Sequence, residues 1–153
     1  MKTFKFPWLW CCAALPLLLA GCNTGFSKQE VNSMRALTPK QRDQLGQELA
    51  TELRRTSLGD QGKYYLRDIR YRNSDDTLVY DMEMKSLDNF RQLDAANRKE
   101  AKRKGDQLVN QIVCENRKTR SVVMDARLGI EFRMKNSRGV EMMRPRVAPG
   151  GCS

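Results

Sequence analysis

The sequence predicts an α+β fold, an antiparallel sheet of about five strands packed with helices in the order α-β-β-α-β-β-β and closed by one disulfide. Three observations carry that expectation. A capped helical segment with leucines four residues apart opens the polar part of the chain. Two stretches of alternating apolar and polar residues, around residues 64–84 and 122–144, each contain a turn rich in Asn, Ser, Asp or Gly. Between them lies a run of strong helix formers over residues 86–116.

The elements follow in order. Thr38-Pro39-Lys40-Gln41 supplies an N-cap hydroxyl, a proline at the first helical position and a glutamine three residues after the cap, a capping box. Leu45, Leu49 and Leu53 then recur at a spacing of four, with Ala50 beside them. A helix burying a narrow stripe to about residue 56 is expected, ended by Gly59 and Gly62. In residues 64–72, Tyr65, Ile69 and Tyr71 share one parity and Leu66 the other. Asn73-Ser74-Asp75-Asp76 is a turn, and Leu78, Tyr80, Met82 and Met84 alternate on one face of residues 77–84. Residues 86–116 read as one long helix, with apolar patches at Phe90, Leu93 and Ala96 and again at Leu108, Val109, Ile112 and Val113. Its middle, from Arg98 to Lys104, is too charged to face a core, so it projects as a solvated helix or the chain breaks at Gly105. Val122, Met124 and Ala126 alternate as a strand, as do Ile130, Phe132 and Met134. Asn136-Ser137-Arg138-Gly139 is a turn, and Val140 to Arg144 begins a last strand, where Pro145 and Pro149 suit an edge.

The N-terminus is of another kind. Lys2 and Lys5 precede an apolar stretch over residues 6–19, and Leu19-Ala20-Gly21-Cys22 closes it, with no acid before Cys22. That stretch is about 14 residues, short of the roughly 20 that span a bilayer, and Pro7 and Pro16 interrupt it. The pattern resembles the lipobox of bacterial lipoproteins, which implies a signal peptide over residues 1–21 and acyl chains, palmitate among them, on Cys22. The alternative is an ordinary secretory signal in which Cys22 stands by chance. Asn23 is not the aspartate associated with inner-membrane retention, so a lipid anchor in the outer membrane, facing the periplasm, is expected. Residues 22–37 are polar and small, read as a flexible tether, and residues 38–153 form a single domain.

An exported chain explains its cysteines. Cys11 and Cys12 leave with the leader and Cys22 carries lipid, so Cys114 and Cys152 remain. In an oxidising compartment they are most simply read as one disulfide. A redox pair or a metal site competes with that reading, but there is no C-x-x-C spacing and no histidine. The lack of histidine also removes Ser-His, Cys-His and histidine-zinc chemistry, and no glycine-rich phosphate loop follows a strand. An enzyme would have to work with carboxylates alone, and Asp75-Asp76 reads as a turn; no catalytic residue, cofactor or metal is expected. The formal charge of +10 falls to +8 when Lys2 and Lys5 are removed. That excess suits polyanions, of which nucleic acid is the least compatible with an exported, tethered chain; alternatively it only keeps the surface soluble.

From Cys114 onward, a cysteine at a helix end, a strand, Gly129-Ile130-x-Phe132-x-Met134, a turn with Gly139, a last strand and Cys152 resemble the pilotins of type II secretion systems, small outer-membrane lipoproteins with one disulfide and a mixed helix and sheet domain. The resemblance implies a monomeric chaperone that captures a C-terminal segment of secretin subunits and delivers them to the outer membrane for channel assembly. In that reading Met82, Met84, Phe90 and Leu93 border a groove for an amphipathic helix. Arg98, Lys99, Lys102, Arg103 and Lys104 add an electrostatic contact to a membrane or an acidic partner. Met124, Met134, Met142 and Met143 are further candidates for the groove, although methionines alternating on strands pack inward by default. The alternative function is a lipid-anchored scaffold or adhesion lipoprotein whose basic helix grips anionic envelope glycans.

Overall fold

The computed structural model describes residues 28–152, so the leader and Cys22 lie outside the described residues. Helices α1 (Lys28–Arg35) and α2 (Pro39–Ser57) come first, followed by strands β1 (Gly59–Asp60), β2 (Tyr65–Arg72) and β3 (Thr77–Glu83). Single 3-10 turns at Lys85–Leu87 and Phe90–Gln92 lead into α3 (Ala95–Glu115) and α4 (Arg117–Met124). Strands β4 (Gly129–Lys135), β5 (Glu141–Met143) and β6 (Arg146–Val147) complete the chain. The sheet runs β1-β2-β3-β4-β5, and β6 also pairs with β4.

Local chemistry accounts for most of these boundaries. The capping box at α2 is formed: the Gln41 N–H donates to Thr38 Oγ1 (3.3 Å) and the Thr38 N–H to Gln41 Oε1 (2.9 Å), satisfying two donors at the helix start. Leu49 and Ala50 bury against Leu66, Ile69 and Tyr71 of β2 and Leu78 and Met82 of β3. At Gly46 the helix lies so close to the sheet that a Cβ would overlap the Tyr71 ring. The Tyr71 hydroxyl donates to Asp76, and burial together with that carboxylate pushes its pKa up.

A second apolar cluster, continuous in the sheet with the first through Tyr80 and Phe132, joins α3 and α4 to β4, β5 and β6. It contains Phe90, Val109, Val113, Val123, Ile130, Met134, Met142 and Val147. The helices therefore cover the face that carries the even-numbered residues of β3 and β4, while Asp81, Glu131, Arg133 and Lys135 stand on the other. Cys114 and Cys152 are bonded, their Cα atoms 5.4 Å apart, and fasten the end of α3 to the C-terminal tail.

Four features differ from the expected chain path, and one open alternative is decided. Residues 28–35, placed in the tether, contain the two-turn helix α1. The strand expected at Val122 is helix α4. Asn116 Oδ1 caps it by accepting the N–H groups of Lys118 (3.0 Å) and Thr119 (3.3 Å), and Val122 and Val123 bury on its inner side, with Ala126 buried just past its end. Arg127, with φ of 58°, turns the chain out of α4 into β4. The segment before Asp94 is not helical: Leu93 is extended and Asp94 caps α3, its carboxylate accepting the Asn97 N–H at 2.8 Å. Of the two alternatives at the basic stretch, the unbroken helix is the one formed: α3 runs through Gly105. Finally, β3 and β4 are parallel, in register from Thr77↔Gly129 to Glu83↔Lys135. The connection between them crosses back through α3 and α4, and only such a crossover lets consecutive strands run the same way. The other pairings are antiparallel. An irregularity between Leu66 and Asp68 restores Leu66 to the buried side with Ile69 and Tyr71 and leaves Tyr65 exposed.

Candidate functional site: a basic cleft beside the edge strand

Two surfaces concentrate polar chemistry. One is the sheet face away from the helices. Asp81, with a side chain 5% exposed, meets Arg70, Lys135 (3.1 Å) and Arg133 (3.7 Å). Glu131, 3% exposed, takes a two-pronged contact from Arg72 at 2.8 and 3.1 Å. Arg72 and Arg146 also hold Asp75, and Arg133 and Arg144 hold Glu141. Bonds from Arg72 hold the Asp75 carboxyl below its ordinary range, and bonds from Arg144 and then Arg133 do the same for Glu141. Carboxylates buried at this depth persist as charges only when paired, and here each is paired. On this face each of these four carboxylates has an arginine or lysine partner.

The second surface is a cleft of about 510 Å³ between α3 and β5. Its base is apolar: Phe90 and Met142 are both 7% exposed and belong to the cluster beneath α3. Its wall is one stripe of α3, Ala95, Arg98, Lys99 and Lys102, the i, i+3, i+4, i+7 spacing of a single helix face. Arg91, from the preceding 3-10 turn, adds a further cation, and Glu141 of β5 stands opposite.

Two clamps place these parts. Asp88 accepts the Ser137 N–H (2.8 Å) and hydroxyl (2.7 Å), which ties the segment carrying Phe90 to the β4–β5 turn and holds its carboxyl below the ordinary range. Within that turn Asn136 Oδ1 accepts the N–H groups of Arg138 (3.0 Å) and Val140 (2.9 Å), which sets where β5 begins.

Charge in the cleft differs from charge on the sheet. Arg91, Arg98, Lys99 and Lys102 have no ion-pair partner among the described residues. The nearby acids are already engaged: Glu100 by Arg103 (2.6 Å) and Lys104 (3.6 Å), and Glu141 by Arg133 (2.7 Å) and Arg144 (2.8 Å).

The residues expected to form a partner groove are thus divided. Phe90, Arg98, Lys99 and Lys102 meet in the cleft, together with Met142. Met82 is buried beneath α2 and Met84 packs on the other cluster; neither lines the cleft. Leu93 is 39% exposed but outside it, and Arg103 and Lys104 turn to Glu100 instead. Met134 lies in the cluster beneath α3, and Met124 and Met143 pack against it. Sequence reasoning passed over Arg91, Ala95 and Glu141. Recognising Asp94 as the helix cap would have placed Ala95 at the start of the same stripe as Arg98. Among the described residues no cluster of His, Cys, Asp or Glu could hold a metal ion, and no helix is long and apolar enough to cross a membrane.

No protein-family model matches the chain, and neither does the sequence of any curated protein. Among solved structures, the fold is similar to that of EpsS, the pilotin from the Vibrio vulnificus type 2 secretion system. The TM-score is 0.53 at 16% identity, over 75% of this chain and 94% of that one. At that identity the likeness is one of fold, and the chain has a pilotin-like fold.

Proposed function

We propose that this chain is a pilotin-like binding protein, anchored in the outer membrane by lipid on Cys22, that captures a C-terminal segment of a secretin subunit for channel assembly. The likeness to a type 2 secretion pilotin over nearly the whole of that protein is the observation that carries the reading. The cleft beside β5 supports it, because an apolar base with a charged rim suits a short peptide segment better than a small metabolite. Anchoring by several acyl chains would be stable where one chain is marginal, and would concentrate cargo at the membrane surface.

The test uses Ala95→Trp. Ala95 is exposed on the cleft wall, so an indole there fills the cleft without cutting into the core. The variant is expected to keep its fold but to lose co-purification with the secretin of the same cell. Cys22→Ser should still bind secretin while failing to carry it to the outer-membrane fraction. Equal secretin recovery with Ala95→Trp and the unmodified chain would refute the placement of the site. Strong, salt-sensitive retention on anionic envelope glycans without secretin binding would favour the scaffold alternative, to which the unpaired cations are also suited.

A further inference from the structure

Arg98 and Lys102 are one helical turn apart, a like-charge i, i+4 pair that weakens a helix, and Lys99 stands between them. Arg98 is the fourth residue of α3, in a first turn that contains no acid and where the helix dipole disfavours a cation; Lys99 and Lys102 follow beyond it. The Asp94 carboxylate at the cap offsets part of the cost at Arg98, but none of the three cations has an ion-pair partner among the described residues. On the sheet face, by contrast, Arg70, Arg72, Arg133 and Lys135 are matched by carboxylates.

From this we infer that the cleft accepts an acidic peptide segment, one that seats a large apolar side chain on Phe90 and Met142 and sets carboxylates against Arg91, Arg98, Lys99 and Lys102. The inference rests on the capture reading above and specifies the chemistry of its partner. The rise from Arg98 to Lys102 is about 6 Å, matched by carboxylates four apart on a helix or, at roughly 6.7 Å, two apart on an extended strand. A peptide fits better than a lipid surface. A flat layer of anionic headgroups could reach the exposed cations, but it would leave the recessed Phe90 and Met142 uncovered. Electrostatic recognition of this kind raises the association rate and selects among partners, and it is screened by salt.

The experiment titrates the full lipidated chain, in uncharged detergent, with fluorescent C-terminal peptides of the secretin from the same cell. Salt is set at roughly 50 and 500 mM, where the screening length falls severalfold. Arg98→Glu/Lys102→Glu removes no ion pair, so it should fold; Arg98→Gln/Lys102→Gln is the milder companion, and thermal melts monitor both. The expected result is affinity about tenfold weaker at high salt, weaker again in the Glu variant, and restored there when the acids of the peptide are replaced by lysine. Binding that is tight but indifferent to salt and to both variants would overturn the acidic-partner inference while leaving secretin capture intact. No binding of any secretin tail would overturn both. If the chain then bound vesicles containing phosphatidylglycerol, and lost that binding in the Glu variant, the cations would be assigned to lipid instead.

Discussion

Replacing both Cys114 and Cys152 by alanine should cost this domain roughly 4 kcal/mol without changing its fold. The bond joins residues 38 apart in sequence. In the chain-entropy model, cross-linking a loop of that length removes about 13 cal/mol/K from the unfolded ensemble, or about 3.9 kcal/mol at 25 °C. The native state should survive the change because the tail is held in other ways: Val147 pairs with Ile130 and is 2% exposed, and Arg146 pairs with Glu131. Both sulfurs lie in the cluster beneath α3, so alanine also leaves a small apolar void, which adds to the loss. Urea unfolding followed by circular dichroism, with oxidised chain and double-alanine variant side by side, gives the difference from the midpoints. A shift in melting temperature on the order of 10–20 °C should accompany it. A loss below about 1 kcal/mol would refute the reasoning, since it would mean that the unfolded chain is no less constrained without the bond.

Gly46→Ala should destabilise by about 1–2 kcal/mol even though alanine is the better helix former, because the new methyl would overlap the buried Tyr71 ring; calorimetry showing a stabilised variant would remove the close approach. Asn116→Ala should cost about 1 kcal/mol by uncapping α4, read as a lower urea midpoint with unchanged slope. Stability should also fall in acid. Asp75 and Glu141 have folded pKa values below their unfolded ones, so what they contribute is fully present above about pH 4.5 and is lost as the pH drops through the depressed values. A urea midpoint measured from neutral pH down to about 3 should show the decline, and Glu141→Gln should make it shallower.

Short-range chemistry is the part of this fold that can be read from the chain. Thr38 and Gln41 specify the start of α2 through bonds within four residues, and the hairpin of β2 and β3 turns at Asn73-Ser74-Asp75 as expected. Expectation and structure part where two periodicities share the same residues. Val122, Val123, Met124 and Ala126 satisfy alternation and helical spacing equally. The cap at Asn116 and the burial of Val122 and Val123 beneath the sheet's inner face settle it as helix. Strand direction depends on where a long connection returns, which no local pattern encodes, so the parallel pairing of β3 with β4 was not legible. The disulfide followed from the expectation of an exported chain, in which Cys114 and Cys152 are the thiols left to pair, an argument from chemistry rather than from the path of the chain. Half of the cleft was legible too, as Phe90, a basic run and Met142 among four candidate methionines, but the strand that carries Met142 lies some 40 residues on, and nothing local singles it out from Met124, Met134 and Met143.

The cleft itself results from how α3 divides its two sides. Ala101, Val109 and Val113 pack into the cluster, and Gly105 lies close enough to Met143 that an alanine there would touch its sulfur at 3.5 Å. That stripe, at a spacing of four, seats the helix on β4, β5 and β6. Toward the helix start the wall beside β5 holds Ala95, Arg98, Lys99 and Lys102, at positions where an amphipathic helix would ordinarily carry leucines. Apolar side chains there would close the helix onto the edge strand and extend the core over Phe90 and Met142. Cations instead remain in water, and the two apolar side chains keep an open approach. Filling the wall with leucine should therefore raise stability and abolish binding together, as read by a urea midpoint and a secretin-peptide titration on the same variant. That opposition is expected of a site kept open at the expense of packing, and a cleft that merely reflects loose packing would lack it.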